Sequence, residues 1–75
     1  MPSAYVLVNT EKGYEKIVDN LRKIKNIIEI NTVYGIYDII IKVKASTMKE
    51  MKKTIMNIRQ FNDIKASLTM IIVEN

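Results

Sequence analysis

The chain has 75 residues with a formal net charge of +4, and it contains no histidine, cysteine or tryptophan. That composition excludes disulfides, thiolate chemistry and the commonest neutral-pH base and metal ligand, so function must come from geometry, carboxylates, hydroxyls and backbone groups. With 48% apolar against 27% charged residues, it lies outside the disordered regime and predicts one small folded domain, close to the size at which a single core barely suffices.

Residues Ala4 to Asn9 predict a strand that is apolar on both alternating sets, with Tyr5 and Leu7 on one face and Val6 and Val8 on the other. From Tyr14 to Lys25 the period becomes helical. Ile17, Val18, Leu21 and Ile24 fall on one stripe, while Glu15, Lys16, Asp19, Arg22 and Lys23 face away. Thr10 is placed to cap that helix, with Gly13 close to its start. Ile27 to Tyr34 returns to strand chemistry, Gly35 marks a turn, and Tyr37 to Lys44 forms the second arm of a hairpin. Ser46 or Thr47 caps a second helix, Thr47 standing at capping-box spacing from Glu50. Its buried stripe is Met48, Met51, Ile55 and Ile58, and Ile64 to Glu74 closes the chain as a strand.

The order strand, helix, strand, strand, helix, strand has one common compact solution, because right-handed crossovers return both helices to one face of the sheet. The expected fold is α+β and ferredoxin-like, a four-stranded antiparallel sheet of order 4-1-3-2. No helix is left for the other face. Yet Leu68, Met70 and Ile72 alternate with Ile71 and Val73, and Ile39 and Ile41 alternate with Ile40, so several strands are apolar on both sides. A monomer would expose more contiguous apolar surface than soluble monomers tolerate. A second copy of the sheet is the economical cover, and a homodimer is expected.

Lys42 and Lys44 interrupt the longest apolar run, and Asn9, Glu11 and Lys12 follow too soon after the opening residues for a secretion signal. A soluble cytoplasmic domain with no membrane association is expected. The basic balance invites a nucleic-acid reading, but Glu50 sits among Lys49, Lys52, Lys53 and Arg59, and Glu15 and Asp19 share a segment with Arg22, Lys23 and Lys25. Mixed charge on outward helix faces reads as a solvated surface, so no direct nucleic-acid binding is expected.

The most distinctive stretch is Tyr34-Gly35-Ile36-Tyr37-Asp38, a lone acid flanked by two tyrosines and a glycine at the mouth of an apolar hairpin. It has the look of a small-ligand contact. Together with Ala4-Tyr5-Val6-Leu7-Val8-Asn9-Thr10-Glu11, Ala45-Ser46-Thr47-Met48 and Ser67-Leu68-Thr69-Met70-Ile71-Ile72, it resembles the ligand-binding, oligomerising domain of the Lrp/AsnC feast/famine transcription regulators. The resemblance runs over essentially the whole chain. That domain usually follows a helix-turn-helix, for which no residues remain here, so residues 1–75 are expected to form a stand-alone effector-binding domain.

The resemblance implies dimers that associate further, often four around a ring to an octamer, with an amino acid held between dimers. It also implies a site in which Tyr34, Gly35, Tyr37 and Asp38 line one side and Ser67 and Thr69 the other. The chemistry is consistent: Asp38 supplies a fixed anion for the ligand ammonium, and hydroxyls and backbone N–H groups supply donors for its carboxylate. Each residue also has a plainer reading. Asp38 satisfies hairpin backbone groups, Tyr34 and Tyr37 pack across strands or at an interface, and Ser67 and Thr69 are ordinary strand residues. Gly35 is required by the turn under either reading. Met48, Met51, Met56 and Met70 read as core fillers.

The function expected is an assembly module that senses an amino acid or similar metabolite, without a cofactor, and acts through its own oligomeric state or that of a related full-length regulator. A small dimeric α+β-barrel enzyme of the monooxygenase or isomerase kind is the alternative. It would need a cavity between sheet and helices, and the chain offers no acid–base pair at informative spacing. An RNA-recognition domain should show aromatic residues on its central strands, where Ile39, Ile41 and Leu7 are expected. A metal chaperone of the same fold would carry Cys-x-x-Cys where this chain has Thr10-Glu11-Lys12-Gly13.

Overall fold

Strand β1 (Ser3–Thr10) alternates between two environments in the computed structural model, which describes residues 1–11 and 15–73. Ala4, Val6 and Val8 are wholly buried, while Tyr5 and Leu7 are half-buried on the opposite side. Helix α1 (Glu15–Leu21) sets Ile17, Val18 and Leu21 into the same core. It is shorter than its period suggests. Beyond Leu21, Arg22 N–H still donates to Val18 O and Ile24 N–H to Leu21 O, so Ile24 reaches the edge of the core from a turn. The expected helix start at Tyr14, and Gly13 beside it, lie outside the described residues. Thr10 is no helix cap; it is the last residue of β1.

Strands β2 (Ile27–Thr32) and β3 (Ile39–Lys44) form the hairpin, and helix α2 (Met48–Arg59) leads into β4 (Ile64–Ile72). The sheet order is β2-β3-β1-β4 with every neighbour antiparallel, the expected 4-1-3-2 order read from the other edge. Both hairpin arms are shorter than expected. Strand structure ends at Thr32 and resumes at Ile39, with Val33 N–H still donating to Asp38 O across the gap, so Tyr34 and Tyr37 are loop residues and the cross-strand packing reading does not hold for them. At the α2 entrance the structure chooses between the two candidate caps: Thr47, in extended conformation, accepts the Glu50 N–H through Oγ1 at 3.1 Å.

Met51, Ile55 and Ile58 of α2 are buried as expected, but Met48 is exposed at the first position of the helix. Thr54 takes a fourth interior place, its hydroxyl bonded back to Glu50 O at 2.9 Å. Met56 lies on the outer face of α2 and Met70 on the open side of β4, so of the four methionines read as core fillers only Met51 is one.

Pairing fixes which residues share a face, since cross-strand partners point the same way. Val6 and Val8 stand beside Ile41 and Ile39 of β3, and beside Thr69 and Ser67 of β4, on the helix side. On the other side Leu7 lies between Ile40 and Leu68, and Tyr5 between Lys42 and Met70. Ile39 and Ile41 therefore face the helices, and Ile40 takes the open-face place expected of them. The open face is apolar along the middle of β1 and β4 and at Ile40 of β3, while Lys42 and Lys44 of β3 and Glu29 and Asn31 of β2 make its β2 side polar. Lys42 Nζ lies 5.6 Å from the centroid of the Tyr5 ring, a cation–π spacing that lets a charge sit on this strip.

Candidate functional site

The loop of residues 33–38 is built around Asp38. Strand β3 begins at Ile39, opposite Val8, while β1 continues to Thr10, so the end of β1 has no β3 backbone beside it. Asp38 fills that gap. Its N–H donates to Val8 O at 3.0 Å, its carbonyl accepts from Val33 N–H at 2.8 Å, and its Oδ2 accepts from Thr10 N–H at 3.0 Å. A carboxylate has more lone pairs than this one bond uses, so acceptor capacity remains for a further donor.

A concavity of about 490 Å³ is lined by Thr32, Val33, Tyr34 and Asp38. Tyr34 and Ile36 project from the loop into solvent, while Tyr37 is half-buried. Gly35 corrects an expectation. It does not have a positive φ, and a Cβ built on it would meet nothing within 4 Å, so neither the turn nor local packing requires glycine there.

Ser67 and Thr69 are half-buried on the helix-facing side of edge strand β4. Val8 has Ile39 on one flank and Ser67 on the other, so β1 separates these hydroxyls from the hairpin that carries Asp38. At the usual strand spacing that is about 10 Å. A single chain thus brings Tyr34 and Asp38 to one concavity, and Gly35, Tyr37, Ser67 and Thr69 do not line it.

Among the described residues the one that adopts a left-handed conformation is Asn26, with φ 77° at the turn between α1 and β2. Its Nδ2 donates to Thr54 Oγ1 at 3.1 Å. Sequence reasoning passed over both residues. The available signal was an asparagine just past a helical stripe, the residue besides glycine most at ease in that conformation. Among the described residues no group of three acidic side chains could hold a metal ion, and no helix is long and apolar enough to cross a membrane.

The model of the Lrp/AsnC ligand binding domain matches residues 3–75. The chain belongs to the Lrp/AsnC ligand binding domain family. Among solved structures, FFRP-DM1 is 33% identical with a TM-score of 0.89, covering 97% of this chain and 100% of that one. The hypothetical protein PHS023 from Pyrococcus horikoshii is 34% identical with a TM-score of 0.88, covering 100% and 93% respectively. The feast or famine regulatory protein from M. tuberculosis, solved in complex with L-methionine, shares the fold at 16% identity and a TM-score of 0.81, over 100% of this chain and 52% of that one. The curated HTH-type transcriptional regulator FL11 of Pyrococcus horikoshii is 26% identical over 72 residues, 95% of this chain. The chain spans about half the length of that curated relative, 48%.

Proposed function

We propose that this Lrp/AsnC domain is a non-enzymatic effector-binding and assembly module that senses an amino acid or similar small metabolite. The observation that carries the reading is the Asp38 carboxylate at the wall of a solvent-open concavity, where it accepts from Thr10 N–H while the Asp38 backbone is fixed by bonds to Val8 and Val33. A fixed anion in that position matches a ligand ammonium. Tyr34 adds a wall to the same hollow. Gly35 fits too: since the turn does not need it, a bare backbone there favours close approach by something outside the chain.

Assembly completes the site. The apolar strip of Leu7, Ile40, Leu68 and Met70 is closed by the same strip of a second copy, and dimers then associate, four to a ring, so that Tyr34, Gly35, Tyr37 and Asp38 meet Ser67 and Thr69 of a neighbour. An effector bound between dimers stabilises whichever assembly contains the pocket, and by linkage assembly raises effector affinity. The regulatory output is a change in the oligomeric state of this chain, or of a full-length regulator carrying the same domain. The family's ligand-binding role and the L-methionine complex of the M. tuberculosis relative support an amino-acid effector. Against the enzyme reading, Val6, Val8, Ile39, Ile41 and Val43 meet Ile17, Leu21, Met51 and Ile58 between sheet and helices, where a substrate cavity would have to lie.

Calorimetric titration with each of the twenty amino acids tests this reading. At least one should bind the wild type and bind Asp38→Asn more than about tenfold more weakly, because asparagine keeps an acceptor for Thr10 but loses the charge. Absence of binding by all twenty would refute the amino-acid effector.

A further inference from the structure

A second cleft, of about 270 Å³, lies between the α1–β2 turn and helix α2, lined by Lys25, Asn26, Glu50, Lys53, Thr54 and Asn57. It is on the helix side of the sheet, so pairing through the open face leaves it accessible. It also stands at the opposite end of β2 from the Asp38 loop, about 20 Å away for a six-residue strand.

We infer that this cleft is a second binding site, for a small molecule that carries an oxyanion, carboxylate or phosphate, together with a hydrogen-bond donor. Its back wall is built rather than incidental. Thr54 is a buried polar residue whose hydroxyl accepts from Asn26 Nδ2 at 3.1 Å and donates to Glu50 O at 2.9 Å. Asn26 is held at φ 77°, and its carbonyl accepts from Lys44 N–H at 2.9 Å, so the α1–β2 turn, the end of β3 and α2 all fix one residue in a conformation that side chains other than glycine seldom adopt.

On that wall Glu50, Lys53, Thr54 and Asn57 recur at helical spacing along one face of α2, and Lys25 approaches from the turn. Two ammonium groups against one carboxylate leave the mouth positive. Lys25 and Lys53 supply charge-assisted donors to an oxyanion, and the Asn57 amide adds neutral hydrogen bonding. Glu50 sets the selectivity. It repels a bare anion and accepts from an amine or hydroxyl, so the preferred ligand carries both groups. A structural brace alone accounts for Asn26 and Thr54 but gives no role to the two lysines that line the same cleft.

The test is an amide-shift titration of the isotopically labelled full chain with phosphoethanolamine, β-alanine, inorganic phosphate and, at matched ionic strength, sodium chloride. One of the two amine-bearing probes should give saturable shifts at residues 25–26 and 50–57, and which one does so separates phosphate from carboxylate. The double variant Lys25→Gln/Lys53→Gln should weaken that probe at least about tenfold with the remaining spectrum unchanged. Glu50→Gln should weaken the amine-bearing probe and strengthen inorganic phosphate. Shifts that fail to saturate, that sodium chloride reproduces, that survive the double variant, or that occur only at residues 33–38 would each overturn the assignment. None of these readouts depends on whether the Asp38 loop binds an effector.

Discussion

Thr10 and Asp38, 28 residues apart, are joined by a 3.0 Å hydrogen bond from the backbone N–H of one to the Oδ2 of the other. The bond replaces a ladder contact that β3 starts too late to provide. One carboxylate therefore both shapes the candidate pocket and seals the end of β1.

Removing that carboxylate should cost stability as well as binding. Asp38→Ala is expected to destabilise the fold by about 1–2 kcal/mol, since it leaves the half-buried Thr10 N–H without its acceptor, whereas Asp38→Asn should cost less than half as much. Urea denaturation of the two variants separates the structural share of Asp38 from its charge. Equal losses in both would show that charge, not the hydrogen bond, holds the loop.

Gly35 should behave in the reverse way. Gly35→Ala has room for its methyl and no left-handed φ to oppose it, so stability should stay level or rise by about 0.4–1 kcal/mol through a less flexible unfolded chain. Effector binding should nevertheless weaken if the bare backbone serves close approach. Thermal melts paired with calorimetry read both; a clear loss of stability would mean that the turn needs glycine after all.

Asn26 and Thr54 form the other long-range pair, and their energies should couple. Thr54→Val preserves shape but removes the partner of Asn26 Nδ2, at an expected cost of about 1–2 kcal/mol. Asn26→Ala loses the same bond and adds backbone strain at φ 77°, while Asn26→Gly loses the bond without the strain. The predicted order of stability is wild type, Asn26→Gly, Asn26→Ala, and the double variant with Thr54→Val should lose less than the sum of the two single ones.

The elements legible in the sequence are those whose periodicity records burial directly. Val6 and Val8, Ile17 and Leu21, Met51 and Ile58 announce their faces, and their order fixes the sheet topology with both helices on one side. What stayed hidden depends on partners distant in sequence. Nothing near Asp38 shows that β1 overruns β3, so both hairpin arms read too long and Thr10 read as a helix cap. Glycine at position 35 read as a turn requirement, while the left-handed residue was Asn26. Methionine, apolar but adaptable, gives no burial signal of its own, and Met48, Met56 and Met70 proved exposed. The candidate site was legible as a loop with an acid. Its second half was not, because Ser67 and Thr69 lie across β1 from that loop.

Leu7, at the centre of the open face between Ile40 and Leu68, is the most sensitive probe of assembly. Leu7→Glu places a charge in the middle of the apolar strip and should split the proposed dimer, while Glu29→Gln at the polar β2 edge should leave it intact.

Sedimentation equilibrium of the wild-type chain at micromolar concentration addresses the central claim most directly. A particle of at least two chains, reduced toward one by Leu7→Glu, is the predicted result. A stable, well-folded single chain across that range would contradict it.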